Sequence, residues 1–420
     1  MSFNGRHKSI KKQSKINGGA GENNFETSKK INNGDSLIKC IYDVKEKNEI
    51  QIINDRIGNM LNEDIEAKIK IWSNNKKEKL IYKKKFDKLG LNTIYFIIEK
   101  KLDNLNFIFN DCSSLKQTQF INPEIERVRG MIGMFNGCKN LEFIDLSSFD
   151  ISNATDMSGL FAGCNKLKEI KRIDKFKTSK INNMSTMFEE CNEIELINLS
   201  SFDTSNVTDM SYLFNKCHKL KEIKGIDKFK TSKVTNMRAM FQQCMEIKSL
   251  DLSSYDISNV KDLSIMFQEC FELNYVDISN FKTTNVKNIG WMFNKCYKLN
   301  EIKGINILKS LKNINQTGIF EDCPNLRNIP NDGTVNKIKI EKKQITIFFF
   351  SNDQSIKNYP LTCYNTDIVE TIKEKIYLIN PEFKNKTFYF LANGCIINER
   401  VSFAENKIED ETVILIQEEF

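Results

Sequence analysis

The 420-residue chain lacks the long apolar segments that membrane proteins and secretory precursors carry. Its longest apolar run is the six residues 345–350, whereas a membrane-spanning helix needs about 18. Residues 1–36 contain no apolar core of the kind that a secretory signal requires, and they are basic and rich in Gly and Asn. We therefore predict that residues 1–36 form a disordered tail and that the protein is cytoplasmic, without a membrane span.

Residues suited to catalysis are also scarce. Only two histidines occur: His7 lies in the predicted tail, and His218 occupies a position where equivalent segments carry unrelated residues. The glycines of residues 18–21 are not followed by the Lys-Ser/Thr pair of a phosphate-binding loop. The net charge of +7 is spread along the chain, so we expect no nucleic-acid partner. We predict a protein that is not an enzyme and that uses no cofactor.

What the sequence has instead is a repeat. Nine cysteines follow one another at intervals of 26 or 27 residues, and each has a Phe three places earlier. These cysteines are Cys112, Cys138, Cys164, Cys191, Cys217, Cys244, Cys270, Cys296 and Cys323. A fixed period of this length is typical of a solenoid, in which each repeat forms one layer.

Residues 192–217 illustrate one repeat. Ile194, Ile197, Leu199 and Phe202 have the spacing of a leucine-rich repeat, which predicts a short strand and then a turn. The apolar residues that follow are three and four places apart, which predicts a helix. Each repeat is expected to hold one strand, one turn and one helix, so the predicted fold class is an α/β repeat.

The Phe-x-x-Cys pairs are predicted to form the structural core of the repeats, as at Phe214, Cys217, Phe241 and Cys244. Because no export signal is found, we expect the cysteines to be reduced and packed. One Cys per layer would form a row, whereas a zinc site needs four ligands that converge tetrahedrally. We therefore predict no metal site.

Units such as FDTSNVTDMSYLFNKC, residues 202–217, resemble the BspA-like leucine-rich repeats that are also known from mycoplasma lipoproteins. The resemblance implies a leucine-rich-repeat solenoid over residues 104–330, with about 8–9 repeats of 26–27 residues. In bacteria this family is largely exported and adhesive, which implies an alternative function as an adhesive or structural protein of a surface or cell cortex. The bias toward Asn, Ile and Lys is typical of an AT-rich protist genome.

Residues 37–103 contain several stretches in which apolar and polar residues alternate, and these predict a small β-rich unit. A solenoid needs its first apolar face covered, so we expect this unit to serve as the N-terminal cap. We interpret its basic cluster as a solvated edge, with phosphate contact as the alternative. The cluster consists of Lys76, Lys77, Lys79, Lys83, Lys84 and Lys85.

The repeat period stops near residue 335, and residues 331–343 are predicted to be a linker. Residues 344–420 follow the order strand, strand, helix, strand, strand. The second half of this segment is similar to that of ubiquitin in the placement of Gly394, Phe403 and its last strand. The resemblance implies a ubiquitin-like β-grasp domain.

The resemblance to ubiquitin also implies a recognition patch on the sheet, at Phe390 and Ile416. Packing of both side chains on a neighbouring domain is the alternative. The chain ends in Glu418, Glu419 and Phe420 and not in Gly-Gly, so we expect that this domain is not conjugated to other proteins.

In each predicted strand, the side chains between the core positions are expected to point to the concave face of the solenoid. Two outward columns result, and the first varies between copies whereas the second mostly alternates acid or amide with Lys. Cross-strand ion pairs are the alternative to partner contacts in the second column. The predicted partner-binding residues are Phe143, Asp145, Leu196, Asn198, Ser249, Asp251, Tyr275 and Asp277.

The sequence therefore predicts a non-catalytic scaffold or adaptor. Its solenoid is expected to bind protein partners through the concave face, because variable exposed side chains on a rigid repeat scaffold are where recognition can be built. The ubiquitin-like end is expected to engage a second factor.

Overall fold

The computed structural model describes residues 36–55, 65–73, 76–99, 102–121, 128–147, 149–309, 311–326, 344–351, 359–364, 376–377, 381, 388–392, 395–397, 408–409 and 412–418. The predicted tail up to residue 35, the predicted linker, and Gly394 and Phe403 lie outside these residues. Of the predicted C-terminal helix only residues 376–377 are described, and both are helical.

The N-terminal unit is an antiparallel sheet, as its alternating sequence predicted. Apolar side chains of its two longest strands alternate between buried and half-exposed positions, because successive residues of a strand face opposite sides of a sheet. The strands are β1 (Ser36–Val44), β2 (Glu49–Gln51), β3 (Ile69–Ser73), β4 (Lys76–Lys79), β5 (Lys83–Lys85) and β6 (Gly90–Ile98).

The repeat region is a solenoid, as the 26–27-residue period predicted. Each layer contributes one short strand, and neighbouring strands pair in parallel where they are in register. The strands are β7 (Leu115–Ile121), β8 (Phe143–Asp145), β9 (Glu169–Lys171), β10 (Leu196–Asn198), β11 (Glu222–Lys224), β12 (Ser249–Asp251), β13 (Tyr275–Asp277) and β14 (Glu301–Lys303).

The N-terminal unit caps the solenoid by continuing its sheet. Strand β1 pairs antiparallel with β7, and β7 pairs in parallel with β8, so that seven strands follow the order β4-β3-β6-β1-β7-β8-β9. The side chains of both regions form one hydrophobic core that extends from Ile38 to Leu326. The N-terminal unit thus covers the first layer of the solenoid.

The cap also replaces hydrogen bonds that a preceding layer would supply. Within the solenoid, carbonyl groups at the positions of Ile108 and Asn110 accept N–H groups from the layer before. In the first layer, the backbone N–H of Asn54 donates to the Ile108 carbonyl at 2.9 Å, and Gln51 Nε2 donates to the Asn110 carbonyl at 3.0 Å. These contacts matter because a buried carbonyl without a donor is destabilising.

The predicted helix in each repeat is wrong. Among the described residues of the solenoid, the longest helix is α1 (Ile305–Lys309), and two short 3-10 turns occur at Ile173–Lys175 and Ile226–Lys228. The segments that were predicted to be helical are runs of tight turns. The fold is therefore a β-solenoid and not an α/β repeat.

Hydrogen bonding between layers explains why turns replace helices. In residues 210–217, the N–H groups of Met210, Tyr212, Phe214 and Lys216 donate to carbonyls of the following layer at 2.8–3.0 Å. The N–H groups of residues 213, 215 and 217 donate to the carbonyl three residues earlier, as in β-turns. In a helix, these N–H groups would donate to carbonyls of the same segment. The hydrogen bonds between layers in this segment would then be lost.

The spacing between layers also favours turns over helices. Parallel strands lie about 4.8 Å apart, whereas packed helices need about 8–10 Å between their axes. On the turn side, the stacked Phe rings of adjacent layers have centroid separations of 5.0–6.0 Å. The spacing on the turn side is thus close to that of paired strands and too short for packed helices.

The residues of the Phe-x-x-Cys motif lie in the interior, where the rings stack and the thiols form a ladder of hydrogen bonds. Nine Phe rings from Phe109 to Phe320 stack with interplanar angles of at most 20°. In the layer of Phe214, Cys217 Sγ donates to the carbonyl oxygen of Phe188 in the layer before, at 3.0 Å, and seven further layers repeat this contact. Phe96 of the cap packs edge-on against Phe109 and starts the stack.

The C-terminal unit is a mixed five-stranded sheet with its own hydrophobic core. Its strand order is β16-β15-β19-β17-β18, and the central pair β15 and β19 is parallel whereas the other pairs are antiparallel. The strands are β15 (Gln344–Ser351), β16 (Tyr359–Tyr364), β17 (Phe388–Ala392), β18 (Cys395–Ile396) and β19 (Val413–Glu418).

Candidate functional site

The outward side chains of β8 to β14 form the surface that we call the strand face. Each of these strands has three residues, and the middle one is buried in all seven. The residues on either side of it therefore point outward from the core. The first outward column holds Phe143, Glu169, Leu196, Glu222, Ser249, Tyr275 and Glu301, and the second holds Asp145, Lys171, Asn198, Lys224, Asp251, Asp277 and Lys303.

The first column presents apolar side chains to solvent. Leu196 is the most exposed of them, at 47% of its surface, and it lies in register beside Glu222 of the next layer. Phe143 and Tyr275 are half-buried, and Ser249 is exposed. The sequence prediction that this column carries apolar groups on an open face is consistent with these positions.

The second column differs from the prediction, because two of its four predicted binding residues are buried. Asp145 and Asp277 are each only 4% exposed. Lys171 Nζ contacts Asp145 at 2.8 Å, and Lys303 Nζ contacts Asp277 at 2.7 Å. These carboxylates therefore join layers to one another and are not available to a partner.

The same acids and amides also accept hydrogen bonds from the backbone of their own turn. The backbone N–H two residues later donates to the side-chain oxygen of Asp145, Asn198, Asp251 and Asp277, at 2.9–3.1 Å. This arrangement ends each strand, because a short polar side chain that bonds its own backbone favours a turn. Asp251 is exposed and Asn198 half-buried, so these two residues remain at the surface.

The ion pairs affect the pKa values of the buried acids. Burial would raise the pKa of Asp277, but hydrogen bonds from Lys303 and Ser279 outweigh it and lower the pKa to about 2. For Asp145, burial again acts upward and is outweighed by Lys171 and Ser147, so its pKa is lowered. Both acids are therefore ionised at neutral pH and form ion pairs that join neighbouring layers.

Further ion pairs join neighbouring layers. Their members lie one layer apart, because the alternation of two unit types places a Lys beside a Glu. Such exposed pairs contribute little to stability, because solvent screens their charges. They include Lys116 with Glu142, Lys216 with Glu190, Lys219 with Glu193, Lys221 with Glu195, and Lys298 with Glu272.

The predicted recognition patch of the C-terminal unit is wrong. Phe390 is 0% and Ile416 1% exposed, and the two are directly paired across β17 and β19. Phe390 also contacts Phe349 edge-on, at 5.8 Å between ring centroids. Both side chains thus belong to the core of this sheet, since they lie on its apolar side.

The turn side is a second, weaker candidate surface in the sequence, because Tyr212, Ile265 and Trp291 share one slot of the repeat that elsewhere holds Gly159, Thr186 and Ala239. Arg238 Nε donates to the Tyr212 hydroxyl at 2.9 Å, and Arg238 also bonds Ser264 in the following layer. Tyr212 and Trp291 have left-handed backbone, with φ of 57° and 53°. The sequence pattern predicted that this slot lies on a helix, whereas the structure places it in a row of left-handed turns.

The buried thiols have no reactive environment. All cysteines whose side chains are described are unpaired and buried, as predicted. Burial raises the pKa of Cys40 to about 12 and raises those of the repeat cysteines from Cys112 to Cys296 above the usual range. These thiols are protonated at neutral pH and act as hydrogen-bond donors inside the core.

The part of the chain that the structure describes contains no candidate metal site and no candidate membrane span. No group of three or more His, Cys, Asp or Glu side chains there is arranged to hold a metal ion. Likewise, no helix among the described residues has the length and apolar character that crossing a membrane requires.

The chain is similar to a leucine-rich repeat protein from Eubacterium ventriosum, with 19% identity and a TM-score of 0.33, over 47% of this chain and 56% of that one. The chain thus spans little more than half the length of that protein. A search of curated proteins found no match.

A family model described as "Mycoplasma protein of unknown function, DUF285" matches residues 103–224 and 219–332. The two matches together cover more than half of the 420 residues, and they coincide with the Phe-x-x-Cys layers. The matched region is the BspA-type repeat region that the sequence motif indicated. The chain therefore belongs to the DUF285 family of mycoplasma-type repeat proteins.

Proposed function

We propose that the protein is a non-catalytic scaffold or adaptor that binds protein partners through the strand face of its solenoid. The observation that carries this proposal is the exposure of Leu196 on a rigid, hydrogen-bonded sheet. Exposed apolar anchors on a preorganised surface are typical of interaction sites, since little entropy is lost on binding. Leu196, Phe143, Tyr275, Ser249, Asn198 and Asp251 are the residues proposed to contact the partner.

Affinity capture tests this proposal with a matched pair of variants. Leu196→Asp removes the exposed anchor, whereas Thr284→Asp introduces the same side chain at an exposed position outside the strand face. We expect wild type and Thr284→Asp to capture the same partner, and Leu196→Asp to lose about tenfold or more of it. Equal capture by all three proteins, at unchanged urea midpoints, would contradict a role for the strand face.

For the C-terminal unit we propose a ubiquitin-like β-grasp fold with a second binding role. Its sheet supports this, because a β-grasp roll also has its first and last strands paired in parallel at the centre, as β15 and β19 are here. The binding surface on this unit is not the pair Phe390 and Ile416, since both are buried.

Nuclear Overhauser effects in a segmentally labelled full-length protein test the proposed topology. We expect contacts between Phe349 and Ile414, which are in register in the parallel pair. An antiparallel pattern between these strands would rule out the β-grasp fold.

An adhesive or structural role at a surface or cell cortex is a second candidate. The bonding of every layer to the next would suit a stalk-like protein, and related BspA-like repeats are exported. We propose a cytoplasmic location instead, and labelling of intact cells with an impermeant amine reagent separates the two. Labelling of exposed lysines such as Lys287, together with a glycan on Asn206, would favour the surface role.

A further inference from the structure

A second apolar surface lies on the outer side of the cap. Strands β3, β6, β1 and β7 each turn alternate residues toward the core, so the residues between them share the opposite side of the sheet. We call this outer surface the cap face. It consists of Leu37, Lys39, Ile41, Trp72, Tyr95, Ile97 and Ile121.

The apolar members of the cap face form a cluster separate from the main core. Leu37 and Ile97 are its buried centre, and Trp72, Tyr95 and Ile121 are half-buried around them. The strand registers place Ile97, Leu37 and Ile121 side by side in one row. An apolar cluster that includes a half-exposed Trp and Tyr is typical of a partner-binding surface.

The cap face carries a positive charge that is not paired with an acid of the described residues. Lys39 lies between Tyr95 and Gln119 in the strand register and is half-buried. Among the described residues, no carboxylate forms an ion pair with Lys39. Two acids of the cap pair with other lysines: Lys45 Nζ lies 2.8 Å from Asp43, and Lys77 Nζ lies 2.5 Å from Glu99.

The edge strand of the same sheet is also positively charged. Strand β4 is the outermost strand, and Lys76, Lys77 and Lys79 are exposed along it. A row of lysines on an edge strand opposes pairing with a second copy of that strand, because like charges would face each other. The same edge attracts an acidic strand, and an extended segment can pair with a free edge through backbone hydrogen bonds.

We propose that the cap face binds an extended acidic segment of a protein partner. A carboxylate of this segment pairs with Lys39, an aromatic or aliphatic side chain packs on Trp72 and Tyr95, and further acids face the lysines of β4. The chain's own residues 1–35 do not fit as occupant, because they carry seven Lys and Arg against three Asp and Glu. The proposal deepens the proposed binding role and rests on it.

The cap face continues into the strand face. Ile41 lies in register with Gln117, and Gln117 with Phe143, so one row of outward side chains crosses from the cap to the solenoid. A partner that is anchored on the cap face can therefore extend along the strand face without a break in the sheet.

Selection from a phage-displayed library of random peptides tests the partner chemistry. The full-length wild type is the target, and Lys39→Glu is used for counter-selection. We expect enriched peptides that combine several Asp or Glu with an aromatic residue. Binding of synthetic copies should fall about tenfold or more for Lys39→Glu, by a smaller factor for Lys39→Gln, and by less than about twofold for the control Lys287→Glu on the solenoid.

The other outcomes overturn the proposal. No enrichment, a basic consensus, or equal binding to Lys39→Glu would each contradict an acidic partner segment. The same proteins are also tested with phosphatidylserine vesicles and with single-stranded DNA, and binding that depends on Lys39 only with these probes would replace a protein partner by a phosphate-bearing one. Leu196→Asp is assayed in parallel: loss of peptide binding there, with Lys39→Glu unaffected, would remove the cap-face proposal and leave the strand-face proposal standing.

Discussion

The inner and outer sides of the solenoid strands obey different constraints, although they belong to the same three-residue segments. The middle residues are all aliphatic, and each is buried against its neighbours: Ile144, Ile170, Ile197, Ile223, Leu250, Val276 and Ile302. The outer residues of the first column range from Phe143 through Glu169 to Ser249. The interior is uniform because one layer packs on the next, and the first outward column can vary because its side chains lie outside the packed interior.

The largest expected effect comes from the interior. Phe214→Ala removes a fully buried ring that stacks on Phe188 and Phe241, at 5.6 Å between centroids on both sides. We expect the free energy of unfolding to fall by about 3–5 kcal/mol, through lost burial and the cavity that remains. Urea denaturation followed by circular dichroism measures this change. A loss below about 1 kcal/mol would show that the layers do not share one interior.

A smaller effect is expected for the thiol of the same layer. Cys217→Ala removes the hydrogen bond to the Phe188 carbonyl and the volume of the sulfur. That carbonyl also accepts the N–H of Cys191, so no buried acceptor is left unpaired. We expect a loss of about 1–2 kcal/mol, and we expect Cys217→Ser, which keeps a donor, to lie closer to wild type. If Ser is no better than Ala in urea denaturation, the hydrogen bond contributes nothing measurable.

A still smaller effect on stability is expected for the ion pair between Asp277 and Lys303. Because the pKa of Asp277 is lowered to about 2 in the folded protein, compared with about 3.9 for a free Asp, its contribution is complete above about pH 4. It is lost as the pH falls toward 2. Asp277→Asn should cost about 1 kcal/mol at pH 7 and almost nothing at pH 2.

The pH dependence of the urea midpoint measures the contribution of Asp277. Asp251→Asn is the control, because Asp251 occupies the same position one layer away and is exposed. An equal effect of both substitutions at every pH would show that burial and the Lys303 contact do not matter.

The smallest effect on stability is expected on the outer side. Leu196→Asp should change the free energy of unfolding by less than about 0.5 kcal/mol, because about half of this side chain is exposed and its neighbours in the stack do not depend on it. Thermal unfolding measures this change. A loss of more than about 1.5 kcal/mol would mean that Leu196 supports the stack, and its exposure would then not indicate a binding role.

The sequence predicted the strands and the core columns well, since the same apolar pattern recurs in every layer. It failed for the turn side because a three-and-four spacing of apolar residues fits both a helix and a run of turns that return to the core. Thr186 and Ile265 even have left-handed backbone there, with φ of 54° and 53°, which β-branched residues adopt unfavourably. The hydrogen bonds between layers hold this backbone, and they cannot be read from one repeat.

The candidate site was predicted only in part for a related reason. Leu196 and Ser249 are exposed as expected, because strand alternation alone determines which residues point outward. Alternation does not determine how deep an outward residue lies. Asp145 and Asp277 are covered by the lysine of the next layer and by their own turns, and the cap face combines four strands that are distant in sequence.

The sequence by itself determined the repeat length, the identity of the inward columns and the presence of a cap, because a regular apolar pattern has one economical way to be buried. Only the tertiary structure decided the path of the backbone between those columns, the depth of each polar side chain and the joining of cap and solenoid into one sheet. These features depend on hydrogen bonds and ion pairs between layers, and such contacts form only when the layers are stacked.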